Sequence, residues 1–172
     1  LIPLKNVDLL INAFKIVEKQ YPNCQLIIIG DGPEKKRLIN LAKMDTNIIF
    51  TGNMERTQLL KELIEADIFV FPSLKECASW SLIEAMAFKI PVICFDVNGI
   101  GDTTDDYCAV RVALEKSTSM KQATEDFSNA ILKVLQMKPI QRKSMGDYGY
   151  QRLETMFSFE ALQEFVSDTI KI

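Results

Sequence analysis

The feature that most constrains the fold is an alternation of short apolar runs with longer amphipathic segments. The runs QLIIIG (25–30), NIIF (47–50), DIFVFPS (67–73) and PVICFD (91–96) are rich in β-branched and aromatic residues. Such runs predict strands buried on both faces, as in parallel sheets. We therefore expect a doubly wound α/β domain in which about six parallel strands are flanked by helices and followed by a helical C-terminus.

Helical periodicity separates and follows these strands. Asn6 is a candidate cap for a first helix, in which Leu10, Ala13, Phe14 and Val17 recur at helical spacing. A weaker strand is predicted at 108–112, and further helices at 34–43, 57–65, 81–88, 120–137, 140–156 and 160–170. No repeat or linker interrupts the pattern, so residues 1–172 form a single predicted domain.

Composition excludes several classes of site. The chain has no histidine, which removes imidazole acid–base catalysis and the Ser-His and Cys-His nucleophile systems. Its net charge of −3 argues against a nucleic-acid-binding role. Cys24, Cys77, Cys94 and Cys108 form no C-x-x-C pair, so we expect no zinc site, and scattered thiols fit a reducing cytosol.

The start of the chain resembles neither a signal peptide nor a natural N-terminus. Leu1 stands where a Met would begin a natural chain, and no charged segment or cleavage site follows it. No apolar run is long enough to cross a bilayer. We therefore expect a piece of a longer cytoplasmic protein. A location at the inner face of the membrane would come from a contact made by the missing part.

Ligands of doubly wound sheets bind beyond the carboxyl ends of the strands. The first such segment here is GDGP, Gly30 to Pro33, which follows a strand and opens a helix. It lacks the third glycine of a dinucleotide-binding fingerprint, and no P-loop is present. By itself this segment fits a tight turn as well as a ligand-binding loop.

Glu76 and Glu84, which are separated by seven residues, follow the third strand. The spacing alone favours a solvent-facing Glu84 on an amphipathic helix, because most charged side chains are exposed. Trp80 between them is either a sugar-stacking platform or, as is commoner, a residue packed in the core or against a helix.

Two charged clusters have ordinary surface interpretations. Lys35, Lys36 and Arg37 are typical of a solvated helix face, with a phosphate or membrane contact as the alternative. The sequence D-T-T-D-D at 102–106 is typical of a solvated turn. A site of oxygen ligands for a metal is the alternative, but the glycines of a calcium loop are missing.

The stretch PSLKECASWSLIEAMAF (72–88) resembles the E-x7-E signature of the group-one retaining glycosyltransferases with a GT-B fold. Other short motifs stand in the family order: Lys5 at the Lys of R-x-x-x-x-K-G, then GDGP, F-T-G at 50–52, NGIGD at 98–102 and F-S-F-E at 157–160. Each is weak alone, but together they favour a functional Glu84. The resemblance covers nearly the whole chain and identifies it as the C-terminal, donor-binding domain.

The resemblance implies roles for individual residues. Glu84 should accept hydrogen bonds from the nucleotide ribose, Glu76 should act as the catalytic residue that contacts the donor sugar, and Lys5 should bind the diphosphate. The diphosphate should also face the amides at the front of the helix. The remaining predicted donor-site residues are Gly30, Asp31, Gly32, Cys77, Ala78, Ser79, Trp80, Ser81 and Leu82.

The sequence departs from the family pattern at two points. Cys77-Ala78-Ser79 replaces Gly-Phe-Gly, which restricts how closely the backbone can approach a sugar or phosphate. Asp102 replaces the Glu of G-G-I-x-E. These changes leave the nucleotide site intact as a prediction but put the donor sugar in doubt.

The function implied is hexosyl transfer from a nucleoside-diphosphate sugar, UDP favoured, to a saccharide or lipid-linked acceptor with retention. Cell-surface polysaccharide or glycolipid synthesis is the setting implied. No metal or other cofactor is implied, and the partners are the nucleotide sugar and an N-terminal acceptor domain, without which the chain should be inactive. The alternatives are a non-catalytic nucleotide- or metabolite-binding module and, disfavoured by the incomplete glycine fingerprint, a Rossmann-type oxidoreductase domain.

Overall fold

The computed structural model describes residues 1–43, 45–75, 79–97, 99–114 and 119–158. A single 3-10 turn, Pro3–Lys5, precedes the regular elements. The strands are β1 Leu26–Ile29, β2 Ile48–Gly52, β3 Phe69–Phe71, β4 Val92–Phe95 and β5 Ala109–Val112. The helices are α1 Val7–Val17, α2 Lys35–Ala42, α3 Arg56–Glu65, α4 Trp80–Ala87, α5 Ile100–Thr103, α6 Met120–Gln136 and α7 Pro139–Met156.

Every strand pairing is parallel, as predicted from the apolar runs. β1 pairs with β2, while β3, β4 and β5 form a second ladder in that order. The described part of the chain has five strands, close to the six expected, and each of them was predicted within a few residues of its bounds. The predicted helix at 160–170 lies outside the described residues.

Helix α1 packs against residues of both ladders. Leu10 and Val17 pack in a cluster with Phe95 of β4 and Phe127 of α6, and the two aromatic rings lie 4.8 Å apart between centroids. Its residues Ile11 and Phe14 instead pack against α2, β1 and β2 in a separate cluster. One helix thus packs against both ladders, because its apolar residues occupy more than one stripe.

Helices α4 and α7 cover the other face of the second ladder. Gly146 in α7 lies directly against the backbone of Lys89, where a Cβ atom would collide with the Lys89 carbonyl. The helix therefore packs closely on the turn between α4 and β4, and this places its C-terminal half next to the loop that follows β4.

Burial on both faces holds for β4 but not for β1 and β2. All four residues of β4 are buried, whereas Ile27 of β1 is 40% exposed and its ladder partner Ile49 is 37% exposed. The prediction that β1 and β2 are buried on both faces was therefore wrong for one face of each strand. β4 lies between two strands and two helix layers, while Ile28 and Ile48 face α1 and α2 from only one side of their ladder.

Burial suppresses ionisation of two thiols. Desolvation raises the pKa of Cys94 from its ordinary 9.0 to about 12 and that of Cys108 to about 11. At pH 8 the thiolate fraction of Cys94 is then about 10⁻⁴, against about a tenth for an unperturbed thiol. Above about pH 9, where the unfolded thiols ionise, the folded chain binds more protons than the unfolded chain, so its stability falls as the pH rises through the folded pKa.

We expect iodoacetamide at pH 8 to leave Cys94 and Cys108 unmodified in the folded chain. Both should react once urea unfolds the protein, because unfolding returns each thiol to water. Mass spectrometry of tryptic peptides measures the extent of alkylation, with the half-buried Cys24 as the internal reference. Native alkylation of Cys94 as fast as that of Cys24 would contradict its burial in β4.

Candidate functional site

The candidate donor-site residues that the structure describes lie at or beyond the carboxyl ends of the strands. Lys5 reaches this edge because the turn at Pro3–Lys5 is hydrogen-bonded to the end of β3. The Leu74 amide and the Ser73 hydroxyl both donate to the Leu4 carbonyl at 3.3 Å. The Lys5 ammonium also lies 5.6 Å from the centroid of the Phe71 ring. These contacts hold Lys5 at the start of the loop that connects β3 to α4.

Asn6 occupies the N-cap position of α1, as predicted, but its side chain makes no capping hydrogen bond. Its backbone is left-handed, with φ 52, a conformation that Asn tolerates better than most residues. Its Nδ2 is buried and has no hydrogen-bond partner among the described residues. Asn6 therefore allows the sharp change of chain direction after the turn that carries Lys5, and its side chain does not cap the start of α1.

The front of α4 presents backbone amides that have no partner within the helix. The first intrahelical hydrogen bond runs from the Ile83 amide to the Ser79 carbonyl at 3.0 Å. The amides of Trp80, Ser81 and Leu82 precede it, so they have no partner within the helix. The Leu82 side chain is fully buried, so only its backbone is available to a ligand. An anion placed here would meet the positive end of the helix dipole.

Trp80 is 77% exposed at the first position of α4. The commoner interpretation of the sequence, a Trp packed in the core or against a helix, was therefore wrong. The residues of α4 that are buried in the core are instead Leu82, Ala85 and Met86. The indole is accessible at the same helix end as the free amides.

Glu84 lies one turn further along α4, on the same side as Trp80 by its i, i+4 spacing. Its side chain is 21% exposed and its carboxylate pairs with Arg56, Nη1 to Oε1, at 2.5 Å. Arg56 is the first residue of α3, just after β2. The Glu84 side chain is therefore mostly buried and faces Arg56 at the start of α3.

The GDGP segment lies beside the end of β2. The Gly30 amide donates to the Gly52 carbonyl at 2.8 Å, and Gly30 and Gly32 have φ of 117 and 155, which favour glycine. The Asp31 carboxylate accepts hydrogen bonds from Lys35 at 2.6 Å and from the Gly32 amide at 2.7 Å. The Lys35 hydrogen bond, followed by that of Gly32, lowers the pKa of Asp31.

Two residues of the basic run that follows pair with acidic neighbours. Lys35 pairs with Asp31, and Arg37 pairs with both Glu34 and Asp8. The Arg37 side chain is 51% exposed. This arrangement agrees with the interpretation of 35–37 as a solvated helix face.

Two arginines that the sequence did not single out organise the acidic turn. Arg152 of α7 donates three hydrogen bonds of 2.9 Å, to the carbonyls of Asp102 and Thr103 and to the Asp105 carboxylate. The two carbonyls end the short helix α5, where the helix leaves acceptors unpaired. Arg152 thereby fixes the loop that follows β4.

Arg111 performs the corresponding role on β5. It pairs with Asp96 at 3.1 Å and with Asp106 at 2.9 Å, and it holds the pKa of the Asp106 carboxyl below its usual range. The carboxylates of Asp105 and Asp106 therefore face arginines. In the described part of the chain no cluster of three or more potential metal ligands is found.

Glu76, Cys77 and Ala78, predicted to contact the donor sugar and diphosphate, lie outside the described residues, as does Asn98 of the NGIGD segment. Of the other predicted site residues, the structure places Lys5 at the end of β3, Gly30 to Gly32 after β1, and Ser79 to Glu84 along the front of α4. No helix within the described ranges is long and apolar enough to cross a bilayer.

Comparisons with known proteins agree with this arrangement. A mannosyltransferase of Corynebacterium glutamicum, the GDP-mannose-dependent monoacylated alpha-(1-6)-phosphatidylinositol monomannoside mannosyltransferase, is 28% identical over 99% of this chain and 45% of its own length. The chain thus spans less than half of that relative.

Solved structures show the same fold. S. aureus TarM, solved in complex with UDP among other ligands, superposes with a TM-score of 0.82 at 21% identity, over 100% of this chain and 34% of TarM. The C-terminal domain of a glycosyl transferase group 1 family protein, LpcC of Francisella tularensis, superposes with a TM-score of 0.73 at 25% identity, over 92% of this chain and 83% of that domain.

The fold is therefore one Rossmann-like half of a GT-B glycosyltransferase. The family model described as "Glycosyl transferases group 1" matches residues 1–152. The chain belongs to the group 1 glycosyl transferases.

Proposed function

We propose that this chain is the donor-binding domain of a glycosyltransferase that takes a hexosyl group from a nucleoside-diphosphate sugar and retains the anomeric configuration. The observation that supports this most is Glu84. A carboxylate on a helix packed against a sheet is costly to bury without a partner. Here it is about four-fifths buried and turned towards the loops where doubly wound sheets bind ligands.

Glu84 would bind the nucleotide through its ribose. An ionised carboxylate has two oxygens and no donor, so it can accept hydrogen bonds from two vicinal hydroxyls at once. Hydrogen bonds to a charged acceptor are roughly twice as strong as neutral ones.

The diphosphate would lie between Lys5 and the front of α4. Lys5 supplies a positive charge near the end of β3, and Trp80, Ser81 and Leu82 supply amides that have no partner within α4. Oriented dipoles and a fixed cation stabilise the charge that develops as the diphosphate leaves. In this proposal they do the work of a metal, and Glu76 contacts the reacting sugar.

These residues define the nucleotide base and the donor sugar of the proposed ligand less closely than its diphosphate. The C. glutamicum relative uses GDP-mannose, whereas TarM was solved with UDP. We propose a UDP-sugar as the donor and a saccharide or lipid-linked acceptor, in the synthesis of a cell-surface polysaccharide or glycolipid. The acceptor would bind mainly to a second domain in the cytoplasm or at the inner face of the membrane.

Calorimetry of the chain with UDP, GDP, ADP and their glucose or mannose conjugates tests this function. We expect one nucleoside diphosphate to bind with a Kd in the micromolar to millimolar range, about −4 to −8 kcal/mol, since half of a cleft leaves the ligand partly solvated. Adenosine, uridine and guanosine serve as controls without phosphate. Binding of none of the diphosphates at millimolar concentration would refute the proposal.

Replacing Lys5 separates diphosphate recognition from nucleoside recognition. We expect Lys5→Ala to weaken UDP about tenfold and to leave uridine nearly unchanged, because the lost interaction is with the charged phosphates. Calorimetry of both ligands measures the difference. Lys36→Ala, which removes an exposed lysine of α2, is the matched control. Equal losses for UDP and uridine, or no loss, would show that Lys5 does not contact the diphosphate.

A further inference from the structure

Arg56 is the one described side chain that an ion pair joins to the Glu84 carboxylate. The contact is long-range in sequence: Arg56 and Glu84 are 28 residues apart, and their helices, α3 and α4, precede and follow β3 along the chain. The Arg56 side chain is 63% exposed, whereas that of Glu84 is 21% exposed. The arginine therefore covers the carboxylate from the solvent side, where a ligand would approach.

The position of Arg56 is not explained by the stability of its own helix. It is the first residue of α3, where the helix dipole opposes a cation. The first turn of α3 contains no acidic residue that would offset this, and the Glu55 side chain makes no capping hydrogen bond. What Arg56 gains at this position is its ion pair with Glu84.

The surroundings of Glu84 explain why a partner matters. On either side along α4 it is flanked by Ile83 and Ala85, which contribute to the apolar cluster beneath the helix. A carboxylate in such surroundings adopts a defined orientation only when a fixed donor holds it. An arginine fork bound through one nitrogen to one oxygen leaves the second carboxylate oxygen free to accept from a ligand.

We infer that Arg56 is a positioning residue for nucleotide binding: it orients the Glu84 carboxylate towards the ribose hydroxyls. This inference rests on the proposed function, since it assigns a role to Arg56 within the same site. Arg56 acts through Glu84, so its contribution depends on the ribose diol of the ligand and on the presence of Glu84.

Calorimetry with UDP and 2′,3′-dideoxy-UDP tests this dependence on the full chain. We expect Arg56→Gln to weaken UDP about five- to tenfold, an interaction of the size found for coupled neighbours. The same substitution should leave the affinity for dideoxy-UDP unchanged, because dideoxy-UDP has no ribose hydroxyls. In a Glu84→Gln background the Arg56 substitution should have no further effect on UDP. Arg56→Lys should recover part of the affinity.

Arg37→Gln is the matched control, because it also removes an exposed, ion-paired arginine from the start of a helix. Circular dichroism melts of each variant establish that the fold is retained. Equal weakening of UDP and dideoxy-UDP would mean that Arg56 contacts the phosphates or the base, and would overturn the inference. Unchanged UDP binding in Arg56→Gln would overturn it while leaving the proposed function standing. Failure of the wild-type chain to bind UDP or GDP would overturn both.

Discussion

The isolated chain is expected to bind a nucleotide sugar and to transfer its sugar at least about 10⁵-fold more slowly than a protein that also contains the acceptor-binding domain. Holding two reactants in attack geometry contributes roughly 7–11 kcal/mol to enzymatic rates. The chain spans 45% of the C. glutamicum mannosyltransferase and 34% of TarM, so we propose that the other part of the cleft belongs to a second domain. Without it, Lys5 and the α4 amides act in water, where charge stabilisation is weak.

The measurement is release of nucleoside diphosphate together with transfer of radiolabelled sugar. The isolated chain and a two-domain protein are compared with UDP-glucose, UDP-N-acetylglucosamine and GDP-mannose as donors. The two-domain protein is the positive control, and calorimetry shows that the chain alone binds the donor. Rapid transfer by the isolated chain would show that it holds a complete active site and would remove the case for a second domain.

Glu84→Ala should reduce nucleotide affinity by about 10- to 100-fold, which places it beyond calorimetric detection if the wild-type Kd is already high. The loss of charge-assisted hydrogen bonds to the ribose costs on the order of 1.5–3 kcal/mol. The fold should survive, because the substitution also frees Arg56, which is mostly exposed and can be solvated.

Titration of UDP or GDP into the wild-type chain and the variant measures this loss, and thermal melts measure stability. Glu65→Ala, at the exposed end of α3, is the matched control. Affinity equal to that of the wild-type chain would show that Glu84 serves only its ion pair with Arg56. A variant that no longer melts cooperatively would instead assign Glu84 a structural role.

Local sequence patterns were sufficient to predict the fold. The runs at 25–30, 47–50, 67–73 and 91–96 each coincide with all or most of a parallel strand. This worked because a strand inside a parallel sheet requires nearly continuous apolar residues, and a short chain segment carries that signal entirely. The seven-residue spacing between Glu76 and Glu84, with the short motifs around it, was likewise enough to recognise the family that the comparisons then showed.

The partners of the site residues could not be predicted, because they lie far apart in sequence. Nothing in the stretch around Glu84 indicates that Arg56, 28 residues earlier, faces it. Nor does the acidic turn indicate that Arg152, nearly 50 residues later, binds its carbonyls. In the sequence, an arginine at the start of α3 cannot be distinguished from any other exposed cation. Only the folded crossover from β2 to β3 brings it beside α4.

Burial of individual residues was also decided by tertiary packing. For Trp80 the commoner alternative was packing in the core or against a helix, and it is exposed, while Ile27 and Ile49 were expected to be buried and are more than one-third exposed. Hydrophobicity determines which residues favour the interior, but the layer that covers each face determines which of them reach it. The sequence by itself determined the elements, their parallel order and the family. Only the tertiary structure decided which charges meet, because ion pairs depend on distances across the sheet that no local pattern encodes.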